Sequence, residues 1–373
     1  MKNKSILYVV NVDWFFISHR LVLAEEAKNN GYEVIVACKD TGRSQEIRDK
    51  GIRFINLSFS RSGTNPITEF KTLLNLFKLY NYVKPDIVHH ITLKPVIYGS
   101  IIAKILNIKG VVNAISGLGY NFTQSRKSYV QKVMLYIMRL GFNRKNLVVI
   151  FQNKNDQEEL ISQGIFNSSN VFVIIKGSGV DLEKYNQSSF PTFSRIKILL
   201  SCRMLWDKGI NELRESSDIL KVKYSNKIEF ILSGLADEEN KAGVSASYLK
   251  EWDDGNYVNW IGYQKNMIPI YQNSHIVVLP SYREGMPKAL LEACAVGRAI
   301  VTTDAIGCRE TVDEGINGFK VPVASSSGLA NALEKLINNH DLIEQMGHNS
   351  RLKAEKEFDV KYVVKKHIEI YNS

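Results

Sequence analysis

The chain has 373 residues, 45% of them hydrophobic and 23% charged. That length suits about two domains with full cores and argues against disorder, collagen or coiled coil as its main character. Its four cysteines, Cys38, Cys202, Cys294 and Cys308, are far apart and lack any CxxC or Cys/His ligand spacing. This argues against a disulfide scaffold or zinc site and predicts a reducing cytoplasm. The net charge of +10 belongs to the first half: residues 1–180 hold 24 Lys+Arg against 12 Asp+Glu, and residues 181–373 hold 24 against 26. Such asymmetry points to an anionic partner of the first half, whether nucleic acid, membrane or phosphorylated substrate; the plain alternative is a solvated basic surface.

Short apolar runs alternate with helical periods along the chain. Strands are predicted at 5–10, 32–38, 53–58, 86–91, 110–116, 147–152 and 171–175, with helices at 18–30, up to 50, and at 66–83, 95–106, 126–143 and 153–163. The Gly/Ser/Pro-rich stretch 176–194 then reads as an interdomain linker. The pattern restarts with strands at 197–202, 228–234, 257–262, 275–281, 299–304 and 318–322. Helices fall between them at 209–222, 245–252, 266–272, 287–296 and 309–313, and three more at 326–339, 341–356 and 359–371 close the chain. Continuous apolar strands separated by helices imply parallel sheets covered on both faces. The fold class is therefore α/β, two doubly wound Rossmann-like domains facing a central cleft. The boundaries are 1–178 and 179–358, with the helix 359–373 expected to pack back on the first domain. No apolar run approaches the ~18 residues of a bilayer span, and the start lacks a leader's cleavage site.

Ligands of doubly wound sheets bind beyond the carboxyl ends of strands. After the strand 275–281 come Glu284, Gly285, Met286 and Pro287, with Pro287 read as the first helical residue. Free amides at that helix start suit an anion or sugar hydroxyls. Glu292, eight residues after Glu284, lies about 12 Å away on a regular helix. That is too far for an acid/base pair but fits two ends of an elongated ligand; read alone, an N-terminal charge and a surface glutamate would also account for it. After 197–202 come Arg203 and Lys208, a fork and a point charge that suit a diphosphate, although basic loop residues are commonly just solvated.

R-x4-K-G, then P-S-x-x-E-G-x-P, E-x7-E, the segment G-V-D-L-E-K-Y and T-T-D-A-I-G-C-R-E-T-V-D-E-G-I-N-G-F together resemble the retaining GT-B-fold glycosyltransferases of family 4. The resemblance implies that Glu284 contacts the donor sugar, and that Gly285, Met286, Pro287 and Lys288 line the sugar and diphosphate. It implies that Glu292 binds the ribose and that Arg203 and Lys208 stabilise the leaving diphosphate. It implies no cofactor and no metal, and no D-x-D triad is evident; Asp253-Asp254 reads as a solvated loop. A UDP-sugar is the preferred donor, with GDP-sugars open.

In the first half, Asn11 to Arg20 replaces the glycine-rich turn of many members and is similar to a subgroup with F-x-S-H-R-L opening the first helix. Ser18 is expected to cap that helix, with His19 near a phosphate or simply structural. Lys94, Ser116, Gly117 and Arg61 follow strands and are acceptor candidates. Of His89 and His90, at most one points to the cleft if both lie in a strand. The basic amphipathic segment 125–145 suits an anionic membrane, or is an ordinary core helix with a charged face. Subgroup resemblance implies transfer of a hexose or N-acetylhexosamine to an undecaprenyl-diphosphate-linked saccharide in O-antigen, capsule or glycan assembly. The enzyme would then be cytoplasmic and peripheral on the inner face of the cell membrane. A GT-B-fold sugar-nucleotide epimerase or phosphorylase is the near alternative. A nucleic-acid-binding protein is the distant one, disfavoured because no recognition module is present.

Overall fold

The computed structural model describes residues 3–57, 66–118, 129–238, 240 and 242–373. Two compact units result: residues up to Ser178 together with Tyr362–Ser373, and Gly179–Lys361.

The first unit holds β1 (Ser5–Val12), α1 (Asp13–Asn29), β2 (Glu33–Lys39), α2 (Ser44–Arg48), β3 (Arg53–Asn56) and α3 (Pro66–Val83). It continues with β4 (Ile87–Ile91), α4 (Leu93–Ile105), β5 (Gly110–Ile115), α5 (Tyr129–Phe142), β6 (Leu147–Phe151), α6 (Lys154–Ser162) and β7 (Val171–Ile174). The strands form one parallel sheet in the order β3-β2-β1-β4-β5-β6-β7. Its central strands are buried without alternation because both faces are covered: all five residues of β4, His89 and His90 included, are buried. Leu7, Val9, Val88, Val111, Phe142 and Phe151 sit in the core.

The second unit holds β8 (Ile196–Ser201), α7 (Ile210–Tyr224), β9 (Ile228–Ser233), α8 (Ala246–Trp252), β10 (Val258–Gly262) and α9 (Ile268–Gln272). After these come β11 (Ile276–Leu279), α10 (Lys288–Val296), β12 (Ala299–Thr303), β13 (Gly318–Val321), α11 (Ser326–Ile337) and α12 (His340–Glu357). The sheet is parallel, in the order β10-β9-β8-β11-β12-β13. The last helix, α13 (Val360–Asn372), carries the chain back to the first unit. There the Tyr371 hydroxyl lies 3.1 Å from that of Tyr8 and 2.6 Å from Nδ1 of His89, and Tyr32 donates to Asn372 at 2.6 Å.

Three expectations change. The first helix begins at Asp13, so Ser18 lies inside it and does not cap it. The reason is long-range: the buried Asp13 carboxylate accepts from the amides of Trp14, Thr41 and Arg43 at 2.7, 2.7 and 3.0 Å, which fixes the first turn. The linker-like stretch belongs to the second unit from Gly179 on: Tyr185, Phe190 and Phe193 pack on its core, and Arg298 holds Ser188 and Ser189. The predicted helix at 309–313 is a single 3-10 turn, Arg309–Thr311. His89 and His90 do alternate faces, yet both are fully buried. His89 meets Tyr371, while His90 bonds Tyr80 and Asn113 at 2.7 Å each. No helix among the described residues is long and apolar enough to cross a membrane.

Candidate active site

In the second sheet the strand order reverses between β8 and β11, and ligands of such sheets bind at that point. The loop after β8 carries Arg203, then a 3-10 turn, Trp206–Lys208, then Gly209. Gly209 has φ +73°, and a side chain there would meet the Pro280 carbonyl oxygen at 2.2 Å. Only glycine lets this loop lie against the end of β11.

That approach brings Lys208 Nζ to 2.5 Å from Glu284 Oε1, with side chains 13% and 17% exposed. Ser281 donates to the same oxygen at 2.7 Å. Burial alone would lower the Lys208 pKa, but Glu284 and Asp207 outweigh it and the net shift is upward, so the ammonium is held charged. A third loop closes the arrangement: the Glu284 amide donates to Ile306 O at 2.9 Å. Gly307, at φ +85°, admits no Cβ because the Glu284 carbonyl would lie 2.4 Å from it.

Gly285 and Met286 follow, and Met286 is buried. Pro287 stands one residue earlier than expected: it is the N-cap of α10, with extended backbone and no side-chain cap. Lys288 Nζ lies 3.7 Å from Glu292 Oε1. Glu292 is buried in the second turn, and burial first, then this carboxylate, push up the pKa values of Tyr185 and Tyr271. Arg203 is more open, with half its side chain exposed and Asp237 at 3.6 Å. The neighbouring Cys202 thiol is pushed up to about 12, chiefly by burial, which leaves it protonated at neutral pH.

Sequence reasoning did not single out Ser281, Asp207, Asp237, Gly307 or the Tyr282–Glu212 hydrogen bond of 2.5 Å. Ser281 and Gly307 stood inside quoted motifs. The partners Asp237 and Glu212 are distant in sequence and left no local signal.

The carboxyl end of the first sheet has a different character. His19 stacks on Phe15 with ring centroids 4.1 Å apart, and its Nδ1 lies beside Ser18 Oγ and Phe15 O. Lys94, in the first turn of α4, is neutralised by Glu69 of α3 at 2.7 Å. Thr92 precedes α4 at φ +73° and ψ 160°, a conformation almost confined to glycine. Asn11 Oδ1, Thr92 Oγ1 and Ser116 Oγ, near the ends of the adjacent strands β1, β4 and β5, are buried and make no hydrogen bond among the described residues. Gly117 follows at φ +101°. Arg61, Arg126 and Lys127 lie outside the described residues.

Arg144, read as one cation of a basic helix, instead follows α5 half-buried and donates to Ile108 O; burial lowers its pKa. The aspartates at 253 and 254 fold a turn: Asp254 takes the Tyr257 amide at 2.7 Å and Lys221 at 2.8 Å, and despite burial these bonds hold it well below the usual carboxylate range. Among the described residues no group of three or more His, Cys, Asp or Glu is placed to hold a metal ion. All four cysteines are free.

Residues 5–153 match the family model described as Glycosyl transferase 4-like, and residues 182–353 match Glycosyl transferases group 1. The N,N'-diacetylbacillosaminyl-diphospho-undecaprenol alpha-1,3-N-acetylgalactosaminyltransferase of Campylobacter jejuni is 26% identical over 383 residues, covering 96% of this chain and 97% of that protein. The UDP-Gal:alpha-D-GlcNAc-diphosphoundecaprenol alpha-1,3-galactosyltransferase of Escherichia coli is 25% identical, covering 92% and 89%. Sucrose-phosphate synthase from Thermosynechococcus elongatus shares the fold, with TM-score 0.80 and 16% identity over 99% of this chain and 98% of that one. With a 4-like domain on the first parallel sheet and a group 1 domain on the second, the chain belongs to the GT-B-fold glycosyltransferases.

Proposed function

We propose that this glycosyltransferase is a retaining, metal-independent enzyme that moves a hexose or N-acetylhexosamine from a UDP-sugar to an undecaprenyl-diphosphate-linked saccharide in surface-polysaccharide or glycan assembly. The observation that carries the reading is the Lys208–Glu284 pair at the point where the second sheet reverses its order. It joins a held cation to a carboxylate that stands four residues before the start of α10. A diphosphate leaving group needs preorganised positive charge, and a hexose hydroxyl needs an acceptor.

In this reading Lys208, Arg203 and the α10 amides take the diphosphate. Glu284 takes a sugar hydroxyl, Gly285, Met286, Pro287 and Lys288 line the sugar and diphosphate, and Glu292 takes the ribose. The bond from the anomeric carbon to the diphosphate oxygen breaks as the bond to the acceptor oxygen forms on the same face. The acceptor's hydroxyl proton passes to the departing diphosphate, so no protein nucleophile and no cofactor beyond the donor is required. His19, Lys94, Ser116, Gly117 and Arg61 are the acceptor-side candidates on the first unit. The two relatives named for diphospho-undecaprenol acceptors support the lipid assignment. The basic first half supports work at the cytoplasmic face of an anionic membrane.

The test is incubation with a panel of UDP- and GDP-sugars and a lipid-diphosphate saccharide, reading product mass and anomeric configuration. Retention with a UDP-sugar is expected. An inverted product overturns the mechanism. Transfer from a GDP-sugar alone overturns the donor. Consumption of donor without acceptor points to the epimerase or phosphorylase alternative.

A further inference from the structure

An amphipathic helix on a globular surface turns one face inward and keeps polar residues outside. Helix α3 breaks that rule. Leu76, Leu79 and Tyr80 are buried in the core. On the outside, Ile67 is 68% exposed, Phe70 61%, Leu74 43% and Phe77 38%. Their spacing of three, four and three residues stacks them on one face, a ridge about 15 Å long.

The ridge continues beyond α3. Helix α4 packs between α3 and α5. Ile105 is exposed at the end of α4, and α5 exposes Val133, Tyr136 and Leu140, again three and four residues apart. Nine of the 22 exposed large apolar residues among those described fall on these three helices: these eight and Tyr82. The charges are one-sided as well. The helices carry Lys71, Lys78, Lys94, Lys104, Lys132 and Arg139. Their single acid, Glu69, is taken by Lys94. Lys71, Lys78, Lys132 and Arg139 are exposed.

We propose that the outer face of the α3–α4–α5 layer, with α3 as its inserting element, is the surface on which this enzyme lies on an anionic lipid bilayer. The proposal deepens the membrane assignment made above and rests on it. An apolar ridge flanked by lysines matches the boundary between acyl chains and anionic headgroups, and a long lysine stem spans that boundary. A second copy of the chain would bring like charges together. Nucleic acid would satisfy the lysines and leave Phe70 and Phe77 in water.

The full chain is mixed, without donor, with vesicles of phosphatidylcholine alone or with phosphatidylglycerol, and the pelleted fraction is read. Wild type is expected to bind the anionic vesicles about tenfold better at low salt. The double variant Phe70→Ser/Leu74→Ser should bind about tenfold more weakly, at an unchanged melting temperature and with unchanged transfer to a short-chain acceptor in detergent. The variant Lys71→Glu/Lys78→Glu should lose the preference for anionic lipid. Wild type remaining in the supernatant overturns the proposal, and so does a serine variant that pellets like wild type. A wild-type dimer that the serine variant converts to monomer also overturns it, because a second copy then covers the ridge. Vesicle binding is read without turnover, and short-chain transfer without vesicles. Failure of this surface is therefore separable from failure of the proposed chemistry.

Discussion

The two sheets reverse their strand order in the same way, but the ends they present differ. In the second sheet the reversal point holds charge: Lys208 against Glu284, with Arg203 and Asp237 beside them. In the first, among the described residues, the polar atoms of Asn11, Thr92 and Ser116 are neutral and the ion pair is Lys94 with Glu69. The more basic half of the chain thus has one such pair described where the other half sets Lys208–Glu284 beside Arg203–Asp237. Its exposed lysines include those on the helices, so net charge per domain is a poor guide to where a charged ligand sits.

The largest test of this contrast is catalytic. Lys208→Ala and Glu284→Gln should each reduce transfer about a hundred- to a thousandfold, as loss of a preorganised group at a developing charge does. Arg203→Ala, at a half-exposed site, should reduce it about tenfold. Steady-state kinetics on variants of unchanged melting temperature check this, and wild-type turnover removes the residue from the site.

Acid provides the next test. Burial lowers His90 to about 4 and His367 to about 3, and lowers His89 as well; in the second unit it lowers His275 to about 4. The unfolded chain protonates near the ordinary value of about 6.5 while the folded chain does not. Stability is therefore complete above that pH and falls as the pH drops from about 6.5 toward the folded values, by up to about 1.4 kcal/mol per unit for each group. Hydrogen exchange at pH 7.5 and 5.0 should show β4 and α13 losing protection before β8 and α7. Equal loss would break the comparison.

Smaller still is Tyr371→Phe. It removes the hydroxyl that meets both Tyr8 and His89 and should cost about 1–3 kcal/mol, seen as a lower melting temperature with α13 exchanging first. No change would show that α13 is held by its apolar contacts alone. The smallest effect is expected of Thr92→Gly. It should relieve about 1 kcal/mol of backbone strain, seen as a slightly higher melting temperature. A loss of stability would mean that the Thr92 side chain is a packing group whose contacts outweigh that strain.

Much of this was legible beforehand, for physical reasons. Parallel strands buried on both faces read as plain apolar runs, and α3 falls on the predicted 66–83. Motif spacing identified Glu284 and Lys208, but nothing local encodes that they meet at 2.5 Å. The helix start at Asp13 depends on amides 28 and 30 residues away. The cancellation of Lys94 depends on a carboxylate 25 residues back. The outer ridge of α3 escaped because a helix apolar on two sides shows the same period as one apolar on a single side. Gly/Ser/Pro content suggested a linker at 176–194 because composition does not report that Tyr185, Phe190 and Phe193 find a core.

The return of α13 to the first unit has a consequence for the order of assembly. Tyr8 and His89 are made early, yet the hydroxyl that closes over them arrives with Tyr371, which is made only after the whole second unit. At ~5–20 residues per second of synthesis, the pocket around Tyr8, Arg20 and His89 stands open for on the order of ten seconds or more. The unit that is begun first is therefore the one finished last, and the second unit can complete its sheet while the first still waits for its closing helix.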